Sequence, residues 1–192
     1  SIILKHLNDN ATRPYIGFLY GSFIMTKDLQ VKIIEFNARL GDPEAIPLVQ
    51  NIDFSTLCHQ VKHRLVDKSL FDKDISSITS YIVPKQYAVS NVAPFKINLD
   101  NLTEQEMEHV LLANVNQDYF ALGSRTLALY FENYDLKKMT EKMYRLQNKI
   151  LENNPDLLHA RNDFLECYEK NDLYTLSGVN VEEGNKVVRE IS

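Results

Sequence analysis

The sequence predicts an α+β fold built mostly on antiparallel sheet. Three observations carry that expectation. Residues 16–25 and 31–37 are rich in β-branched and aromatic side chains and flank the turn-like Thr26-Lys27-Asp28-Leu29-Gln30, so they read as a hairpin. More strand-like runs follow at 78–84, 95–98, 109–115 and 118–131. Leu136, Met139, Met143, Leu146 and Ile150 then recur at alternating spacings of three and four, which is the apolar face of one helix.

The elements between these anchors follow from local chemistry. Ala38 to Pro43 is a polar loop. Glu44 to Leu65 carries Leu48, Ile52, Leu57, Val61 and Leu65 at helical spacing, with Pro47 near the start where proline is tolerated. Asp53 is placed to cap a second helix running to Val66. Asp67 to Ser77 is charged and serine-rich and reads as a linker or domain edge. Asp135 caps the long helix and Asn154-Pro155 ends it. Glu169 to Asp172 is a polar linker, and Val179 to Ile191 is a short amphipathic stretch. Domain limits of 1–66, 67–168 and 169–192 are expected.

Composition narrows the class. The 192 residues carry a formal net charge of −5, with 44% hydrophobic and 24% charged side chains. These are globular values and exclude a disordered tail, a collagen and a disulfide scaffold. The acidic balance argues against a nucleic-acid partner. The longest apolar stretch, Tyr15 to Met25, is far short of the roughly 20 residues of a membrane-spanning helix, so no membrane partner is expected. Cys58 and Cys167 lie far apart and read as reduced thiols of a cytoplasmic protein.

Chemistry concentrates in Ile34-Glu35-Phe36-Asn37-Ala38-Arg39-Leu40-Gly41-Asp42-Pro43-Glu44. Residues i and i+2 of a strand share a face, so Glu35 and Asn37 project together, roughly 7 Å apart at the backbone. Their oxygens suit a hard cation such as Mg²⁺, which takes one or two protein ligands and fills its shell with water and phosphate. The planar fork of Arg39 suits a phosphate or carboxylate. Gly41 permits close approach of the backbone to a ligand. Asp42 and Glu44 bracket a rigid proline. The same residues are equally compatible with an edge strand whose Glu35 and Asn37 face solvent, followed by a charged surface turn.

The run Glu-Phe-Asn-Ala-Arg-Leu-Gly-Asp-Pro-Glu at 35–44 resembles the signature of phosphoribosylamine–glycine ligase (glycinamide ribonucleotide synthetase), an ATP-grasp family of purine biosynthesis. Gly17-Phe18-Leu19-Tyr20-Gly21, Val83-Pro84-Lys85, Gly123-Ser124-Arg125 and His159-Ala160-Arg161-Asn162-Asp163-Phe164 resemble further family segments in the same order. The resemblance implies the C-terminal part of an ATP-grasp domain followed by a small, mostly antiparallel domain with a packed helix. It implies an ATP-dependent ligase that joins glycine to 5-phosphoribosylamine through glycyl phosphate. Carried onto this chain, Glu35 and Asn37 would ligate Mg²⁺ (or Mn²⁺), and Arg39 would act catalytically on the transferring phosphoryl group. Arg39, Gly41, Asp42 and Glu44 would shape the substrate end.

The chain departs from the family pattern at Ile46, Gln86, Ala88 and Leu165. Those changes motivate an alternative, a non-catalytic ATP-grasp-like binding or interaction module. The family also needs upstream domains, including a glycine-rich ATP clamp, and six glycines with no phosphate loop do not supply one. The expectation is therefore a fragment that is inactive alone and completed by the upstream domains of the same enzyme. Residues 174–192 are similar to the start of aminoimidazole ribonucleotide synthetase, which implies a fused cyclo-ligase module.

Other patterns read as ordinary. His59 and His63 share one helix face but lack the glutamate and third ligand of a zinc protease. Lys137, Lys138, Lys142, Arg145 and Lys149 form a basic side of the long helix, a solvated face by default, with phosphate or partner contact as the alternative. Tyr119, Phe120, Tyr130 and Phe131 read as sheet core.

Overall fold

A computed structural model describes residues 5–6, 9–10, 12–26, 28–71, 75–87 and 92–163. The chain divides into two compact units, residues 1–75 and 76–192. Both combine helices with antiparallel strands, so the fold is α+β. The segments 169–172, 174–192 and 179–191, together with Ala88, Leu165 and Cys167, lie outside the described residues.

In the first unit, β1 (Tyr20–Met25) pairs antiparallel with β2 (Val31–Asn37). The turn forms as the sequence predicts: Thr26 N donates to Gln30 O at 2.9 Å and Leu29 N to Thr26 O at 2.9 Å. The first strand is shorter than the predicted 16–25, because β2 ends at Asn37 opposite Tyr20 and leaves earlier residues without a ladder partner in this hairpin. The helical spacing over 44–65 resolves into α1 (Ala45–Asn51) and, as the Asp53 cap predicts, a second helix α2 (Phe54–His63). Ile52 is extended, and Asp53 caps α2 by accepting from Thr56 N at 3.1 Å and from Thr56 Oγ1 at 2.6 Å. The second helix stops at His63, short of Val66, because Arg64 turns left-handed at φ 58 and donates its N–H to Val61 O. The expected linker 67–77 holds a 3₁₀ turn over Lys68–Phe71 and the start of the next strand.

The second unit is organised by β7 (Leu127–Asn133), one of the two interior strands of a four-stranded antiparallel sheet in the order β5-β7-β3-β8. The others are β5 (Val110–Leu112), β3 (Ser76–Pro84) and β8 (Leu158–Ala160). A two-residue pair, β4 (Phe95–Lys96) and β6 (Phe120–Ala121), stands apart. The predicted strand 118–131 is thus broken in two, 95–98 shortens to its first two residues and 109–115 to 110–112. Tyr119, with φ 63, and Gly123, with φ 94, interrupt the extended backbone between β5 and β7. This break exposes Tyr119 and Phe120, and Tyr130 is half-buried, so of the four predicted core aromatics only Phe131 is buried.

Helix α4 (Leu136–Asn153) packs on that sheet as its spacing predicts. Met139, Met143, Leu146 and Ile150 join Ile82, Leu127, Leu129 and Phe131 in one core, with Leu136 half-buried at its edge. Asn154 closes the helix with a fully used amide. Its Oδ1 accepts from Asn98 N at 2.8 Å, and its Nδ2 donates to Asn98 O at 2.8 Å and Ile150 O at 2.9 Å. A short helix that the sequence reading passed over, α3 (Glu104–Met107), starts with a capping box. The signal was present as Thr103-Glu104-Gln105-Glu106: Glu106 N donates to Thr103 Oγ1 and Thr103 N to Glu106 Oε2.

Two expectations follow. Replacing buried Asn154 with Ala removes the partner of the Asn98 N–H and C=O and should lower stability by about 1–3 kcal/mol in urea unfolding. Glu106 is held at about 2, below its ordinary 4.5, first by the hydrogen bond from Lys149 and then by the Thr103 N–H. Because the folded value is lowered, its contribution is complete above pH 4.5 and is lost as pH falls toward 2. Glu106→Gln should therefore lower the urea midpoint at pH 7 and leave it nearly unchanged near pH 2.

Candidate functional site

The hairpin register decides which side chains meet. Tyr20 pairs with Asn37 and Ser22 with Glu35, but Phe23 pairs with Ile33, so Ile34 is a bulge. The extra residue flips the alternation of β2. Glu35 and Asn37 share a face with Tyr20 and Ser22, while Val31 and Ile33 move to the side of Phe36 and Phe23. The rings of Phe23 and Phe36 meet edge to face, 6.1 Å between centroids. Gly21 leaves room for them, since a Cβ there would lie 2.7 Å from Phe23 and 3.1 Å from Phe36. The Glu35–Asn37 end of one hairpin face is thus polar, with Ile24 and Lys32 further along it, while Phe23, Val31 and Ile33 on the apolar face are more than half exposed.

Glu35 and Asn37 are brought together as their spacing predicts. Asn37 Nδ2 donates to Glu35 Oε1 at 2.9 Å, at the end of β2 where the pairing stops. Glu35 is exposed and Asn37 half-buried. Among the described residues, no cluster of three or more His, Cys, Asp or Glu side chains is placed to hold a metal by itself. The pair therefore offers a carboxylate and an amide oxygen and leaves other positions to water or substrate, a donor set that fits Mg²⁺ or Mn²⁺.

The loop after β2 is pinned at both ends. Exposed Arg39 donates one guanidinium hydrogen bond to Leu40 O at 2.9 Å. Gly41 is buried, and its carbonyl accepts from Ala45 N at 2.9 Å. A cis Asp42–Pro43 bond follows, and exposed Glu44 sits at the N-cap of α1 with Oε1 accepting from the Tyr20 hydroxyl at 3.1 Å. Tyr20 is the positioning residue that sequence reasoning missed. Its signal was its place in the strand facing β2, but only the register shows that it stands beside Asn37 and reaches Glu44. Asp42 is exposed at the loop tip. Ile46, where the chain departs from the family pattern, lies in α1, and its N–H donates to Pro43 O at 3.0 Å. Gln86, another departure, lies in the turn after β3.

Gly41 is the tightest point of the loop. A Cβ there would sit 2.5 Å from Glu44 Oε2 and 2.8 Å from the Tyr20 ring. Gly41→Ala should therefore separate Tyr20 from Glu44 and loosen the start of α1. Hydrogen exchange at Ala45 and Ile46 checks this: at least about a tenfold loss of protection is expected, about 1.4 kcal/mol of local opening.

Comparisons with known proteins bear on the same segment. Residues 2–45 match the family described as phosphoribosylglycinamide synthetase, ATP-grasp (A) domain, a stretch that contains every candidate site residue from Glu35 to Glu44. The chain is 36% identical over 130 residues to the phosphoribosylamine–glycine ligase of Thermococcus kodakarensis, covering 66% of this chain and 29% of that protein. It is 38% identical over 124 residues to that of Methanococcus vannielii, covering 60% and 28%. It is 30% identical over 157 residues to that of Methanococcus maripaludis, covering 78% and 34%. The chain thus spans about a third or less of the length of the curated relatives it matches. No helix among the described residues is long and apolar enough to cross a membrane. The α+β fold, the matched segment and these relatives together tie the chain by similarity to the phosphoribosylamine–glycine ligases.

Proposed function

We propose that this chain forms the metal- and phosphoryl-handling end of a cytoplasmic phosphoribosylamine–glycine ligase of purine biosynthesis. The observation that carries the reading is the Glu35–Asn37 contact at the end of β2, with Arg39 in the loop that follows, inside the matched segment. The glycine carboxylate takes the γ-phosphoryl group of ATP, giving ADP and glycyl phosphate. The amine of 5-phosphoribosylamine then displaces phosphate and forms the amide. Such a reaction depends on positioning and charge neutralisation more than on covalent protein chemistry.

In this reading Glu35 and Asn37 hold Mg²⁺ or Mn²⁺, which supplies charge neutralisation at the ATP phosphates. Arg39 keeps most of its planar donor fork for the transferring group. Buried Gly41 lets Tyr20 and Glu44 close over the loop, and Asp42 and Glu44 shape the substrate end. The exposed apolar face of the hairpin supports a seat against upstream domains of the same enzyme, which bring the ATP clamp. The domain division proposed is 1–66 for the ATP-grasp part, 67–168 for the C-terminal domain and 169–192 for a linker and the start of a fused cyclo-ligase.

The test uses the full-length protein that carries this chain. Formation of ADP should require both glycine and 5-phosphoribosylamine. Arg39→Ala should lower kcat by about 10²–10³-fold. The Glu35→Ala, Asn37→Ala double variant should lose turnover at ordinary Mg²⁺. Full activity of that variant with an unchanged Mg²⁺ dependence would remove the metal assignment. The isolated 192-residue chain should show no ligase turnover.

A further inference from the structure

The basic side of α4 is not uniform. Lys138, Lys142, Arg145 and Lys149 follow one another at helical spacing and form a stripe. Its ends are occupied. Lys138 Nζ lies 3.4 Å from Asp135 Oδ2, and Lys149 Nζ lies 2.6 Å from Glu106 Oε2. Among the described residues, the two middle cations, Lys142 and Arg145, form no ion pair. They line a cleft of about 350 Å³ whose other walls include Gln105, Glu106, His109 and Phe131.

The cleft has a consistent chemistry. Phe131 and Leu146, 5% and 3% exposed, give it an apolar floor that strengthens a charge interaction above it. Glu106 is its one carboxylate, and that charge is already taken by Lys149 and the N–H of Thr103. His109 is fixed by stacking on Phe131, 4.0 Å between centroids, and by Nδ1, 3.0 Å from Tyr130 O. A carbonyl only accepts, so Nδ1 carries the proton and Nε2 is the polar ring atom left over. Two unneutralised cations three residues apart repel each other on a helix, and a shared anion relieves that repulsion.

We infer that the cleft between α3 and α4 binds a small phosphomonoester, its phosphate held between Lys142 and Arg145. The volume suits a phosphate with a small organic group attached. The site lies within the second unit and shares no residue with the β2 end, so it stands whether or not the ligase reading does.

The test titrates the ¹⁵N-labelled full chain with glycerol 3-phosphate and, separately, with inorganic phosphate, at ionic strength held constant with chloride. Saturable shifts centred on Gln105, His109, Lys142 and Arg145 are expected with glycerol 3-phosphate. Lys142→Gln with Arg145→Gln should weaken binding at least about tenfold, and Lys137→Gln should not. In the unsubstituted chain, glycerol 3-phosphate should also protect Lys142 from acetylation more than Lys137. Linear shifts, shifts reproduced by chloride, equal binding by the double variant, or equal acetylation of both lysines would each overturn the assignment. Saturation by inorganic phosphate alone would restrict the site to the free anion and overturn the phosphomonoester.

Discussion

The Tyr20–Asn37 rung of the hairpin is the constraint on which the candidate site depends. It ends the ladder, so the chain is free to turn into the Arg39–Glu44 loop immediately after the last paired residue. It also sets Tyr20 beside Asn37, and the Tyr20 hydroxyl then holds Glu44. The bulge at Ile34 completes the arrangement. Without it, Val31 and Ile33 would share the face of Glu35 and Asn37, and a hydrated cation site would be bordered by aliphatic groups. With it, Val31 and Ile33 move to the face opposite Glu35 and Asn37, and Ile24 is left on theirs, beside Lys32.

The second unit solves a different problem, that of burying one helix on one sheet. β7 is paired on both sides, and Leu127, Ala128 and Leu129 are all fully buried. The apolar stripe of α4 covers it. Asn154, itself buried, then ties the end of that helix to Asn98 by two hydrogen bonds and donates a third back to Ile150 O. The same helix carries charge on its outer side. Asp135 and Glu106 neutralise the two ends of the stripe, and the charge that remains is concentrated at Lys142 and Arg145.

Much of this was legible from local chemistry. The hairpin turn, the caps of α2 and α4 and the stripe from Met139 to Ile150 each follow from side chains within a few residues of one another. The Glu35–Asn37 contact was legible for the same reason, since an i, i+2 pair on a strand needs no distant partner. The failures fall where distant segments decide. The break at Tyr119 and Gly123 turned one predicted strand into two and left Tyr119 and Phe120 exposed. Helix α3 was missed because its four residues are too few to show periodicity, although its capping box was written in the sequence.

What the sequence by itself determined is the chemistry on offer: a carboxylate and an amide two apart on a strand, an arginine and a glycine in the following loop, and a helix apolar on one side and basic on the other. These are properties of spacing, and spacing survives in any fold that keeps the element. Only the tertiary structure decided that Ile34 bulges, that Tyr20 reaches Glu44, that Gly41 has no room for a side chain, and that Lys142 and Arg145 form no ion pair among the described residues. Each of those depends at least in part on a partner far along the chain (β1 for Ile34, Tyr20 for Glu44 and Gly41, Glu106 for Lys149), whose approach is set by packing and register.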